Sequence, residues 1–182
     1  MPTLAGIFIL GEIDGPVADE IHAVNQQYDP KLAAGRRPHV TLAGSSGVGP
    51  IAASTTPAEL RERLAHAART TAPISVMLGA PHRFIPTDIV VLPIDPHGPI
   101  RELHDKLATS GLRFGHARFT FSPHITLNLY RTLTPEALRA LMKIRIPGPV
   151  TIKALQVYRT QEPNPAKLLF ELPLTGGTPA YG

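Results

Sequence analysis

The sequence contains the same five-residue motif twice, with the two histidines 85 residues apart (124 minus 39). The string Pro38-His39-Val40-Thr41-Leu42 returns as Pro123-His124-Ile125-Thr126-Leu127, with only Val and Ile exchanged. Both copies lie in runs of β-branched and apolar residues, which are typical of strands. In a strand the side-chain period of two sends His and Thr to one face and the intervening apolar residues to the other. We therefore expect two equivalent strands, each burying its apolar pair in a core.

Two histidines and two threonines suit phosphoryl transfer if both motifs reach one cleft. Histidine titrates near neutrality, so one neutral ring can take a proton from water while a charged ring gives a proton to a leaving oxygen. A threonine hydroxyl can donate a hydrogen bond to a phosphate oxygen. A single copy would more often be an ordinary strand whose polar side chains are satisfied by neighbours. The matched pair is what favours a site.

The doubled His-x-Thr motif resembles the two-histidine phosphoesterases, which include RNA 2′,3′-cyclic phosphodiesterases and proteins called 2′-5′ RNA ligases. The spacing of the motifs is of the size that this family shows. The stretch Arg83-Phe84-Ile85-Pro86, the apolar run over residues 89–94 and the helix after it are similar to the family's segment between motifs. RNA-specific members often carry an Arg soon after the second motif, whereas here Arg131 follows only after residues 128–130. This departure bears on whether RNA is the substrate and not on the type of reaction.

The resemblance implies an α+β fold in which two pseudo-symmetric lobes face each other across a central groove. Each lobe is a mostly antiparallel sheet with outer helices. A chain of 182 residues with 43% hydrophobic content can bury a sizeable core and most simply forms one domain. We expect a single two-lobed phosphoesterase domain over residues 1–182.

Local patterns predict further elements on either side of the motif strands. Pro follows a capping residue at Asp14 to Pro16, at Thr56-Pro57 and at Thr134-Pro135, which is typical of helix starts. Helices are predicted over residues 16–27, 57–70, 99–110 and 135–142. Strands are predicted over residues 3–12, 73–78, 89–94, 150–159 and 168–172.

Strand parity adds candidate substrate-binding residues. Counting by twos from the motifs reaches Arg37 on one side and Asn128 and Tyr130 on the other. Arg37 could bind a phosphate, or be a solvated arginine at a strand end. Tyr130 could stack on a base, or shield the sheet.

The resemblance implies metal-independent hydrolysis of 2′,3′-cyclic phosphate ends of RNA or nucleotides to a phosphomonoester. It assigns His124 as the base that activates water and His39 as the acid that protonates the leaving ribose oxygen. Thr41 and Thr126 would hold phosphate oxygens. We expect a bell-shaped pH dependence with a maximum near neutrality and full activity in chelator. Two alternatives stay open: a non-catalytic RNA- or nucleotide-binding module, and an ATP-independent 2′-5′ RNA ligase that runs the same chemistry backwards.

Composition narrows the cofactors and partners. The sequence has no Cys, so disulfides and thiolate metal sites are excluded. The remaining histidines lack the spacing of a zinc helix, and neither motif has a nearby carboxylate, so we expect no metal and no cofactor. The net charge of +4 favours phosphate-bearing ligands without forming a dense basic block. With apolar runs too short to span a bilayer, we expect a cytoplasmic monomer whose partner is its phosphodiester substrate.

Overall fold

The computed structural model describes residues 5–177. Within that range the strands are β1 (Ala5–Glu12), β2 (His39–Ala43), β3 (Ile74–Met77), β4 (His82–Arg83), β5 (Val90–Pro93), β6 (His124–Asn128), β7 (Pro149–Ile152), β8 (Ala154–Gln161) and β9 (Asn164–Pro173). The helices are α1 (Pro16–Tyr28), α2 (Pro30–Gly35), α3 (Pro57–Arg69), α4 (Pro99–Ala108) and α5 (Pro135–Met142).

The strands form two lobes with matching arrangements. The first is an antiparallel sheet in the order β2-β1-β8-β9. The second combines β4-β5-β6 with the pair β3-β7, joined by a bridge between Leu78 and Ile94. In each lobe the motif strand lies at the edge, and its histidine is paired with the residue at the end of the neighbouring strand, Glu12 for His39 and Pro93 for His124. The expected α+β fold with antiparallel sheets is confirmed.

The apolar residues of the motifs lie in the core that the sheets and helices share. Val40, Leu42, Ile125 and Leu127 have no exposed surface. Helix α3 packs on β9, α4 packs on β2, and α1 packs on β6 and β7. Helical periodicity places Leu60, Leu64 and Ala68 on one face of α3 and Ile100, Leu103 and Leu107 on one face of α4, and all six are buried. Burial of one face of each motif strand leaves only the His and Thr face available for a ligand.

The predicted helix starts are right in position, and two of the three caps are confirmed. Each of the five helices in the described range begins at a Pro in its first turn. The hydroxyl oxygens of Thr56 and Thr134 accept hydrogen bonds from backbone amides three residues later, as N-cap residues do. The cap predicted at Asp14 is wrong. Gly15 occupies the N-cap of α1 with a φ of 86° and makes no side-chain cap bond.

Other differences concern short or divided elements. The strand predicted over residues 150–159 is two strands, because β7 pairs with β3 and β8 joins the other lobe, with Lys153 between them. The strand-like pattern continues on both sides of Lys153, so the sequence carries no signal of a change of sheet. Helix α2 and strand β4 were not predicted, since six and two residues are too few to show a period. Thr3 and Leu4, the start of the first predicted strand, lie outside the described residues.

Candidate active site

The two motif strands bring their polar faces together. Strands β2 and β6 belong to different sheets but pack against each other. His39 and Thr41 are half-buried on β2, and His124 and Thr126 are half-buried on β6, while their apolar neighbours are fully buried. His39 and Thr126 line the same groove, although they come from different motifs. The histidine of the first motif and the threonine of the second are therefore exposed to the same groove.

The two imidazoles are held by equivalent hydrogen bonds. Nδ1 of His39 donates to the backbone oxygen of Arg37 at 2.9 Å, and Nδ1 of His124 donates to that of Ser122 at 2.8 Å. A carbonyl oxygen can only accept, so this nitrogen carries a proton in each ring. In the neutral ring Nε2 then has a free lone pair, and within residues 5–177 it has no hydrogen-bond partner. Each ring can accept a proton at Nε2, or donate one when it is charged.

Burial favours the neutral form of both imidazole rings. Removal from water, together with smaller contributions from the cation of Arg36 and the ring of His124, lowers the pKa of His39 to about 4 against the hydrogen bond to Arg37. Burial also lowers the pKa of His124, against the hydrogen bond to Ser122. At pH 7 the free protein therefore holds two neutral imidazoles in one site.

The threonine hydroxyls of the motifs are available to a ligand. Neither Thr41 nor Thr126 uses its hydroxyl in a hydrogen bond with any residue between 5 and 177. Both side chains are half-buried rather than fully solvated, so their donors are oriented by the strands that carry them. A phosphate between the strands could accept a hydrogen bond from each hydroxyl.

Two buried polar residues, on α1 and in the turn after it, bind the end of β6. Nδ2 of Asn25, on α1, donates to the backbone oxygens of Thr126 and Leu127 at 3.1 and 3.0 Å. The carboxylate of Asp29 accepts from the amides of Leu129 and Tyr130 at 2.8 Å each, and its other oxygen caps α2. These contacts tie the end of the second motif strand to α1 and to the turn that follows it.

A groove of about 520 Å³ runs from the site on the His39 side. Its walls include the α2 region, the residues after β6 and the hairpin between β8 and β9. Among the residues that line it are Lys31, Arg36, Arg37, His39, Thr126, Tyr130 and Glu162. On the opposite side, the ring of Phe84 meets His124 edge to face, with centroids 5.4 Å apart. His39 and His124 thus have different surroundings: the groove adjoins His39, and the ring of Phe84 contacts His124.

A model of the 2′-5′ RNA ligase superfamily matches residues 13–164, a range that includes both His-x-Thr motifs. The chain belongs to this superfamily. A comparison with curated proteins finds no match.

Solved structures support the same fold for this superfamily member. TT0787 of Thermus thermophilus is 18% identical, with a TM-score of 0.65 over 94% of this chain and 99% of that one. E. coli LigT, in its complex with 3′-AMP, is 17% identical with a TM-score of 0.58 over 94% and 98%. A structure described as a phosphoesterase is 18% identical with a TM-score of 0.58 and the same coverage. At these identities the likeness concerns the fold.

In this superfamily member, the residues that strand alternation placed on the polar face of the motif strands divide into two groups. Arg37 and Tyr130 line the groove, although β2 begins only at His39 and β6 ends at Asn128. The side chain of Arg37 forms an exposed ion pair with Asp19 at 2.7 Å. Asn128 is wrong as a cleft residue, because it is fully buried and donates to the backbone oxygens of Asp88 and Arg131. A bulge between Val90 and Val91 shifts the register with β6 and ends the parity there.

Sequence reasoning missed three neighbours of the site. Phe84 was noted only as part of a family-like segment, and its contact with His124 depends on how β4 is placed beside β5. Lys31 and Arg36 lie on and just after α2, which was not predicted. Asp29 followed by Pro30 is a capping signal that could have revealed α2, because the carboxylate accepts from the Leu32 amide.

The most deeply buried of the other histidines has a structural role, and the described residues offer no metal site. His104 is a core residue whose Nδ1 donates to the backbone oxygen of Leu42 and whose ring stacks on Phe121 at 3.9 Å. Between residues 5 and 177, no three His, Asp or Glu side chains are grouped to hold a metal ion. The helices of that part of the chain are all too short or too polar to cross a bilayer.

Proposed function

We propose that this protein hydrolyses 2′,3′-cyclic phosphate ends of RNA or nucleotides to phosphomonoesters, with no metal ion. The supporting observation is the matched pair of imidazoles, each fixed through Nδ1 with a free Nε2, beside two threonine hydroxyls without partners among residues 5–177. A module that only binds nucleotides does not need a matched acid and base. The phosphoesterase of the same fold and the LigT complex with 3′-AMP support a phosphate ester of a nucleotide as the substrate.

In the proposed reaction, water attacks the phosphorus in line with the oxygen that leaves. Nε2 of one neutral histidine takes the proton of the water as its oxygen bonds to phosphorus. The bond from phosphorus to one ribose oxygen breaks, and Nε2 of the other, charged histidine gives that oxygen a proton. Thr41 and Thr126 donate hydrogen bonds to the non-bridging oxygens, where negative charge increases in the transition state.

The groove supports one assignment of the two roles. In a cyclic phosphate the ribose carries the leaving oxygen, so the nucleoside must lie on the side of the acid. The groove adjoins His39, whereas Phe84 packs against His124. His39 is therefore proposed as the acid and His124 as the base. Arg37 and Tyr130, which line the same groove, are proposed to contact the substrate.

The negative charge of the bound substrate favours protonation of the histidine that acts as the acid. Burial lowers the pKa of both histidines, so the acid is largely neutral in the free protein at pH 7. A bound cyclic phosphate carries one negative charge, and an anion next to an imidazole raises the pKa of that ring. Substrate binding is thus coupled to protonation of the site.

The proposal is tested by incubating the purified protein in chelator with a short RNA that ends in a 2′,3′-cyclic phosphate, and reading products by mass. The wild type should add one water, and His39→Ala and His124→Ala should each lower the rate by about 10²–10⁴. His66→Ala, a change at an exposed histidine of α3, is the matched control. An unchanged RNA, or activity that chelator abolishes, contradicts the proposal. A joined product when a second RNA with a 5′-hydroxyl is present would indicate ligation.

A substrate with a better leaving group separates acid from base. p-Nitrophenolate leaves without a proton, so bis(p-nitrophenyl) phosphate needs the base but not the acid. His39→Ala should keep hydrolysis of this ester within about tenfold of the wild type, whereas His124→Ala should lose about 10² or more. The reverse pattern would exchange the two roles.

A further inference from the structure

The glycine-rich loop after the first motif strand lies against the segment that leads into the second motif. The loop spans residues 44–49, and the segment spans residues 113–122. The amides of Gly47 and Gly49 donate to carbonyl oxygens of that segment at 2.9 Å each. A Cβ at Gly49 would lie 2.7 Å from backbone atoms of Gly115, so the two backbones are in direct contact. The end of one motif and the approach to the other therefore pack as one unit.

Ser46 makes the contact of this loop that lies nearest to the catalytic residues. It is 8% exposed, and its Oγ accepts a hydrogen bond from the Ser122 amide at 3.0 Å. Ser122 is also the residue whose carbonyl oxygen accepts from Nδ1 of His124 at 2.8 Å. A single residue thus connects the Ser46 hydroxyl to the ring that is proposed as the base.

The direction of the Ser122 carbonyl is set from both sides. Because Ser122 precedes a proline, its backbone is restricted to extended conformations. The carbonyl of Pro123 accepts from the amide of Ile94 at 3.0 Å, which holds the following peptide. On the other side, residues 119–123 belong to no helix or strand, so the Ser122 amide has no strand partner and takes its hydrogen bond from Ser46. Loss of the Ser46 hydroxyl would free this side of the peptide.

Resting on the proposed function, in which His124 is the base, we propose that Ser46 is a positioning residue for His124. By holding the Ser122 backbone, Ser46 keeps the carbonyl aligned with Nδ1 of the ring. The proton then stays on Nδ1, and the lone pair of Nε2 faces the attacking water. Within residues 5–177, Ser46 has no hydrogen bond to Arg37, whose carbonyl orients His39. The effect is therefore confined to one of the two rings.

A spectroscopic test reads the tautomer of each ring, whether or not the protein hydrolyses a substrate. Nitrogen chemical shifts of the histidines are recorded at about pH 8, where both rings are neutral, and His39→Ala and His124→Ala assign the signals. In the wild type both rings should carry the proton on Nδ1. Ser46→Ala should give His124 a mixture of tautomers and leave His39 unchanged. Ser45→Ala, a change at the exposed neighbouring serine, is the matched control. An unmixed Nδ1–H form of His124 in Ser46→Ala overturns the proposal.

A kinetic test uses the cyclic-ended RNA and bis(p-nitrophenyl) phosphate, because both need the base. Ser46→Ala should lower kcat for both substrates by about 10–100-fold through misalignment of the base, with KM within about twofold of the wild type. Ser46→Cys has a similar size and a weaker acceptor, so its kcat should lie between the two. The melting temperature checks that each variant is folded. A higher KM with unchanged kcat, or equal kcat in Ser46→Ala and Ser45→Ala, contradicts the positioning role.

The two tests together separate this proposal from the proposed hydrolysis. Tautomer mixing confined to His124, in a protein that hydrolyses neither substrate, would reject the hydrolase and keep Ser46 as the residue that orients this ring. Hydrolysis by the wild type, with tautomers and kcat unchanged in Ser46→Ala, would keep the hydrolase and reject the positioning role.

Discussion

At the scale of single residues, His39 and His124 have the same covalent and hydrogen-bonding setting but different neighbours. Both donate from Nδ1 to the carbonyl two residues earlier, which leaves Nε2 for chemistry in each ring. His39 has a cation beside it in Arg36, and His124 has the ring of Phe84. A pair that looks identical in sequence therefore becomes inequivalent through contacts from other elements.

The first residue-scale prediction concerns the pH dependence of kcat/KM, which reports the free protein. Catalysis needs one neutral and one charged imidazole. Because burial lowers both pKa values below 6.5, that of His39 to about 4, the maximum should lie between about pH 4 and 6.5 rather than near neutrality. The maximum of kcat should lie at higher pH, because bound phosphate raises both values.

Arg36→Gln tests the physical cause of this shift. Removing the cation should raise the pKa of His39 and move the corresponding limb of the profile to higher pH. Arg61→Gln should leave the profile in place. A wild-type maximum of kcat/KM at pH 7 or above is inconsistent with the burial of the two rings.

The second residue-scale prediction concerns stability in acid. The folded-state pKa of His39, about 4, is below the unfolded value of about 6.5, so the unfolded chain binds more protons in this interval. The contribution of His39 to the free energy of unfolding should therefore fall by about 3 kcal/mol from pH 7 to pH 4. Urea unfolding of the wild type and His39→Asn at both pH values isolates this term. The variant should lose less stability than the wild type, and equal losses would mean that His39 keeps an ordinary pKa.

At the scale of elements, the turn between α1 and α2 controls the end of the second motif strand. Asp29 ends one helix, caps the next and accepts two amides from the residues after β6. Asn25 adds two contacts to the backbone of β6 itself. An edge strand has only one neighbour in its sheet, so β6 depends on these side chains to hold its free edge and its end in place.

The element-scale prediction is that Asp29→Ala destabilises the fold and weakens the site together. Loss of three hydrogen bonds to a buried carboxylate should lower the free energy of unfolding by about 3 kcal/mol. For a chain of this size that corresponds to a melting temperature lower by about 10 °C. Asp95→Ala, which removes an exposed carboxylate paired with His97, is the control and should leave the melting temperature unchanged. If both variants melted alike, the role of Asp29 in holding the end of β6 would be wrong.

At the scale of the whole molecule, a packed cluster connects the first motif strand to the segment that leads into the second. His104 donates to the Leu42 carbonyl on β2 and stacks on Phe121, three residues before His124. The loop after β2 fits against it at Gly47, whose amide donates to the Phe119 carbonyl. A Cβ at Gly47 would lie 2.2 Å from Nε2 of His104, so this position has no room for a side chain.

Two glycines with nearly the same backbone allow a test of this packing. Gly47 has a φ of +74° and Gly98 has a φ of +71°, but Gly98 has nothing within 4 Å of a Cβ. Alanine at either site should cost about 1 kcal/mol for the left-handed backbone. Gly47→Ala should cost about 2 kcal/mol more, because the His104 ring must also move. Urea unfolding of both variants measures the difference in the free energy of unfolding. Equal losses would show that the His104 ring can move aside without a loss of stability.

The sequence by itself determined the elements whose signal is local. Alternation within each motif correctly predicted that Val40 and Leu42 are buried while His39 and Thr41 share the other face. The Thr-Pro starts of α3 and α5 and the apolar stripe of α4 were also readable, since caps and periods depend on neighbours along the chain. The doubled motif indicated the family and hence the two-lobed fold.

The tertiary structure decided everything that depends on contacts distant in sequence. The separation of residues 149–161 into strands of two sheets follows from their partners β3 and β1, which no local pattern records. The bulge in the pairing of β5 with β6 left Asn128 buried, and residues from α2 and β8 formed a groove on the His39 side. Two identical motifs carry no information about what surrounds them. Burial and charge from other elements make the two histidines different, because desolvation and Coulomb energies depend on distance in space.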